Sequence, residues 1–155
     1  MQYTYKKEFL EYIVHKEYYD FLKQELKKYY QHGNTTIYKH SRDVAYNSYK
    51  LARFFNKKIK NSIDIDTLVQ SAYMHDFFMY DWHEKSDTHK LHGFTHPKVA
   101  AENALKYCNA SPKMQKIIKT HMWPFTITKI PTSREGWILT TCDKLTALRE
   151  TINRA

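Results

Sequence analysis

The sequence predicts an all-α fold, a compact single-domain bundle of about six helices. Apolar residues recur at helical spacing through most of the 155 residues. Only 3 Gly and 4 Pro are present, too few for the many tight turns of a β-sandwich. Alternation of Val, Ile and Thr with polar residues is nowhere long enough for a strand. A chain of this length fits one core, so 1–155 is read as one domain without repeats or linkers.

The first helix spans 6–30 and carries Phe9, Leu10, Ile13, Val14, Phe21, Leu22 and Leu26 at helical spacing. Gln31-His32-Gly33-Asn34 ends it, with Gly33 as C-terminal cap. A second helix covers 36–56, with Ile37, Val44, Leu51 and Phe55 in a row. The third begins near Asp64, an acidic residue suited to a helix N-terminus, and runs through Leu68, Val69 and Ala72 to about 77. Residues 78–95 are polar and His-rich and read as a functional loop. Thr95-His96-Pro97 opens a fourth helix, with Thr95 as cap and Pro97 in the first turn. Ser111-Pro112 opens a fifth by the same device. Pro124 and Pro131 bracket a loop, and Ser133 caps a last helix over 134–152.

Composition excludes several classes. No run of about 18 apolar residues occurs, so no membrane span is expected. The first residues lack the apolar stretch of a secretory signal. Cys108 and Cys142 form neither a CxxC pair nor a disulfide framework, and the expected compartment is the reducing cytoplasm. The net charge is +9, and residues 1–60 hold most of it, with 13 Lys and Arg against 6 Asp and Glu. Such a surplus favours an anionic partner without choosing among nucleotide, phosphate ester, nucleic acid and anionic membrane. Nine His residues direct attention to metal binding.

Six polar residues lie on apolar helical faces. His40 precedes Val44 by four, and His75 follows Ala72 by three and Leu68 by seven. Asp76 follows Ala72 by four and Val69 by seven, and Val99 and Ala100 follow His96 by three and four. His121 follows Ile118 by three and Ile117 by four, and Asp143 sits four from both Leu139 and Ala147. Each side chain therefore shares a stripe with core residues. One such His is ordinarily a satisfied core residue, and a lone Asp143 is ordinarily paired with Lys or Arg. Six together, with two buried carboxylates that cost several kcal/mol each unless compensated, point to one or two divalent metals. Imidazole and carboxylate without thiolate suit Fe, Mn, Zn, Ni or Co, with Mg possible, and argue against a structural zinc site.

The order His40, His75-Asp76, His96, His121, Asp143 resembles the HD-domain metal-dependent phosphohydrolase superfamily in its H…HD…H…H…D form. The flanks agree: Lys39-His40-Ser41-Arg42-Asp43-Val44-Ala45, Ala72-Tyr73-Met74-His75-Asp76, His96-Pro97-Lys98-Val99-Ala100-Ala101, and Trp137 to Leu148 around Asp143. The resemblance covers about 36–150, with helix 6–30 packed on that region, and is nearest to a small bacterial subgroup. Met79, Met122 and the lack of a GYP motif set the chain apart from the HD-GYP cyclic-dinucleotide phosphodiesterases. The single His121 is more like the superfamily's diadenosine tetraphosphate hydrolases.

The resemblance implies that Asp76 bridges two metals, with His40, His75 and Asp143 completing one site and His96 and His121 holding the second. It implies hydrolysis of a phosphate ester or anhydride, expected to be that of a nucleotide, by a metal-activated hydroxide. Two other readings remain: an HD-fold di-iron oxygenase, and a non-catalytic basic module binding nucleotide or RNA. Nucleic acid is not the favoured partner; the sequence leaves oligomeric state open. Lys144 and Arg42 are candidates for binding substrate phosphate, while Asp81, His83 and Glu84 are candidates for proton transfer, Asp81 first. Trp82 and Trp123 are candidates for base stacking. His89 and His92 precede the expected helix and are set aside, and His15 and His32 read as solvent-facing.

Overall fold

Helix α4 (Ile65–Met74) is buried along its length from Thr67 to Met74, so it occupies the interior rather than the surface. Around it, a computed structural model describing residues 2–59, 62–83 and 91–152 arranges six more helices. These are α1 (Gln2–Glu11), α2 (Tyr19–Lys27), α3 (Ile37–Lys58), α5 (His92–Cys108), α6 (Pro112–Thr120) and α7 (Arg134–Ile152). A two-stranded antiparallel hairpin, β1 (Tyr30–His32) and β2 (Thr35–Thr36), links α2 to α3. Helix α3 packs on α4 and α7, α5 packs on α6, and α6 also touches α4 and α7. The core between them includes Leu22, Leu26, Ile37, Val44, Tyr49, Leu68, Tyr73, Phe77, Phe78, Ile118 and Leu139. No described helix is long and apolar enough to cross a membrane.

Caps explain most helix starts. The Thr36 hydroxyl accepts from the Lys39 N–H, the Asp64 carboxylate from Thr67, and the Ser111 hydroxyl from Met114. Ser133 accepts from Gly136 at the head of α7. Each satisfies an amide that would otherwise have no partner in the first helical turn.

Three elements differ from the sequence expectation. The helix expected over 6–30 is two helices, broken at 12–18. A straight helix of that length would reach about 37 Å; the break instead folds α2 back so that Leu22 and Leu26 join Phe9 and Ile13 in the core. Gly33 does not cap a helix. Its positive φ of 50° places it in the turn of the hairpin, where glycine has no Cβ penalty. Helix α5 starts at His92 rather than Thr95. The Thr95 hydroxyl donates back to the Leu91 carbonyl instead of capping, and Pro97 falls in the second turn, where it removes one intrahelical bond.

Candidate metal centre

The interior position of α4 sets the site. Its C-terminal end delivers His75 and Asp76 to the middle of the bundle. The second turn of α3 brings His40, α5 brings His96, the C-terminal end of α6 brings His121, and the middle of α7 brings Asp143. All six are buried, none more than 6 % exposed, so bulk water solvates their charges little.

Asp76 stands between two groups of imidazoles. Its Oδ2 faces His75 Nε2 at 3.2 Å and His40 Nε2 at 3.8 Å. Its Oδ1 faces His96 Nε2 at 3.3 Å and His121 Nε2 at 3.6 Å. Asp143 Oδ1 lies 3.0 Å from His40 Nε2 and 3.4 Å from His75 Nε2. Three overlapping triads result: His40, His75 and Asp76; His75, His121 and Asp143; and Asp76, His96 and His121, the ligand atoms within each lying within 4.8 Å of one another.

The outer nitrogens of the rings are held by the protein. His75 Nδ1 lies 2.7 Å from the Ala72 carbonyl, His96 Nδ1 2.8 Å from that of His92, and His121 Nδ1 2.8 Å from that of Ile118. A carbonyl only accepts, so each of these nitrogens carries hydrogen and, in the neutral ring, Nε2 presents its lone pair inward. His40 Nδ1 lies 2.9 Å from Glu150 Oε2, the carboxylate–imidazole pairing that orients metal-binding histidines. Helices α4 and α6 also direct their negative ends at the centre.

This donor set fits a divalent cation. His96 and His121 Nε2 face each other at 3.1 Å, two lone pairs that oppose one another unless a cation lies between them. His75 Nε2 and Asp76 Oδ1 are buried without a hydrogen bond, and nitrogen and oxygen donors without sulfur suit borderline divalent metals. Metal-free, the cluster compensates with protons. Burial opposes charge on His40 and His75, but the neighbouring carboxylates outweigh it and raise their pKa values to about 9 and about 10. Burial likewise disfavours ionised Asp76 and Asp143, yet the imidazoles hold both well below the usual carboxylate value. Burial and the nearby His75 push His121 down to about 3.

A cavity of about 480 Å³ opens onto the cluster, lined by Gln31, Trp82, His92, Gly93, Met122, Lys144 and Ala147 besides four of the six residues. Lys144 Nζ is held by Asp143 Oδ2 at 2.7 Å and the His121 carbonyl at 3.1 Å. Trp82 stacks on His92 at 8° between planes, and His92 stacks on His96 at 20°.

Of the remaining sequence candidates, Arg42 lies elsewhere. It is bonded to Asp43 and lies over the Tyr38 ring, turned away by the two-residue step from His40. Asp81 accepts from the His83 N–H and pairs with its ring, and neither residue lines the cavity. Trp123 packs edge-on against Trp137. Glu84, His89 and the side chain of His32 lie outside the described residues. His92, set aside in the sequence, instead lines the cavity; its spacing of four from His96 within one helix was the available signal. Glu150 and Gln31 were missed because nothing local marks them. Gln31 reaches Asp76 across 45 residues, and Glu150 reaches His40 across 110.

The sequence model of the HD domain family matches residues 37–148, the stretch that carries all six clustered residues. No curated protein and no solved structure gives a match.

Proposed function

The chain belongs to the HD domain family, and from that premise we propose a metal-dependent phosphohydrolase acting on a phosphate ester or anhydride, with a nucleotide as the preferred substrate class. The observation that supports it most is the Asp76 carboxylate, whose two oxygens face two separate sets of imidazoles. That arrangement suits two metals: His40, His75, Asp76 and Asp143 would hold one, and Asp76, His96 and His121 would hold the other. When bound there, divalent metal would supply polarisation of phosphoryl oxygens and a water acidic enough to serve as nucleophile near neutral pH.

The chain's own groups supply the rest. Glu150 and the carbonyls of Ala72, His92 and Ile118 fix each imidazole with Nε2 inward, which pre-organises the ligands before substrate arrives. Lys144, at the cavity wall and bonded to Asp143 and the His121 carbonyl, would offer its remaining N–H to a phosphoryl oxygen. The cavity volume of about 480 Å³ leaves room for a base beside that phosphate. Asp81, next in sequence to the cavity-lining Trp82, remains the proton-transfer candidate, and Asp81→Asn tests it: metal content stays constant while turnover falls.

The test is elemental analysis of the purified protein, then a panel of phosphomonoesters, phosphodiesters and nucleotide anhydrides with Mn, Fe, Co, Ni and Mg. Asp143→Asn keeps the shape but removes a ligand charge, and is expected to lower metal affinity and turnover together, by on the order of 10- to 100-fold. Full turnover in Asp143→Asn would overturn the proposal.

A further inference from the structure

Gln31 lies on β1, outside the residues matched by the family, yet its side chain enters the cavity over the metal centre. Its Nε2 donates to Asp76 Oδ2 at 2.6 Å. The opposite amide orientation would set two oxygens face to face at that distance, so nitrogen points to Asp76 and Oε1 points away. Gln31 Oε1 is buried and has no hydrogen-bond partner. An acceptor left in that state is destabilising, which is explained if a ligand satisfies it.

The chemistry of that ligand group follows from the atom. Phosphoryl oxygens are acceptors and suit Lys144 Nζ, not a carbonyl oxygen. An O–H group suits Oε1. The hairpin that carries Gln31 is fixed from behind: the Gly33 turn closes it, and Thr36 at its end caps α3, the helix of His40. The amide is thus anchored to the same helix as one ligand and bonded to the carboxylate at the centre.

We propose that Gln31 is a positioning residue of this centre, its Nε2 fixing the Asp76 carboxylate and its Oε1 accepting an O–H from the ligand. The donor is either the attacking water or a hydroxyl of the substrate. The Oε1 assignment rests on the phosphohydrolase reading; the Nε2 assignment does not.

Gln31→Leu removes both functions at similar volume, and Gln31→Asn retracts the amide while keeping the residue polar, should the first variant fold poorly. Metal-free protein is titrated with Mn by calorimetry, and metal-saturated protein is then assayed on bis(nitrophenyl) phosphate, which has no hydroxyl, and on a nucleotide substrate. Mn affinity is expected to fall on the order of 10- to 100-fold while stoichiometry at saturation is unchanged. If water is the donor, kcat falls tenfold or more on both substrates. If a substrate hydroxyl is the donor, KM rises for the nucleotide alone. A folded variant within twofold of the parent in Mn affinity and in both assays overturns the proposal. Should the parent hydrolyse neither probe, the phosphohydrolase reading fails and the Oε1 assignment with it, whereas the titration still decides the Nε2 assignment.

Discussion

Glu150 shows how much a single remote carboxylate contributes to the centre. It holds His40 Nδ1 at 2.9 Å, so Glu150→Gln keeps the contact but weakens the pull on the ring. Metal affinity is expected to fall on the order of 10-fold or more, measured by competition with a chelating dye, while the fold is retained. A second expectation follows from the raised pKa values of His40 and His75, about 9 and about 10. At neutral pH the metal-free protein holds protons that metal must displace, so affinity rises with pH until those groups titrate. The slope is expected to be on the order of one to two decades per pH unit between pH 6 and 8, and calorimetry in buffers of different ionisation enthalpy counts the protons released. A pH-independent affinity would contradict this. The six clustered residues were legible in the sequence because each sits three or four positions from a core residue on its own helix. Glu150 and Gln31 were not, since long-range contacts alone give them their roles.

Among the helices, α4, α6 and α7 are tied together at one end by a charged cluster. Lys113 Nζ lies 3.1 Å from Asp64 and 3.3 Å from Glu135, and Glu135 also accepts the Asp64 N–H. Burial opposes ionisation of Glu135, but the Asp64 N–H and Lys113 outweigh it and hold its carboxyl below the ordinary value of 4.5. Asp64 is likewise depressed, burial being outweighed by Thr67 and Lys113. A carboxyl lowered on folding contributes stability above its unfolded pKa and loses it as pH falls through the folded one. Unfolding free energy is therefore expected to decline as pH drops below about 4.5, and to decline less steeply in Glu135→Gln, read from urea curves between pH 3 and 6. Asp64→Ala removes the α4 cap as well, at a cost of about 1 kcal/mol. Caps of this kind made α4, α6 and α7 readable from the sequence, and the apolar row Ile37, Val44, Leu51 and Phe55 did so for α3. The α1–α2 break and the hairpin were not readable, because the apolar spacing of 6–30 suits one helix or two, and only packing on the core decides.

For the whole molecule, the six clustered residues bring five helices to one candidate metal centre. A cation bound only by the folded state at a hundredfold excess over its Kd adds about 2.7 kcal/mol of stability. With a chain of this length moving by about 2–4 °C in Tm per kcal/mol, chelation is expected to lower Tm by roughly 5–10 °C, and a shift under about 2 °C would separate folding from metal binding. The all-α architecture was legible because helical periodicity runs through most of the chain. The most direct measurement of the central claim is metal per chain by elemental analysis after loading and desalting. Two equivalents are expected in the parent, about half that content in His96→Ala, and none in Asp76→Ala, whose carboxylate faces both sets of imidazoles. A folded parent that takes up no divalent metal, or an Asp76→Ala protein that keeps the parent's content, would contradict it.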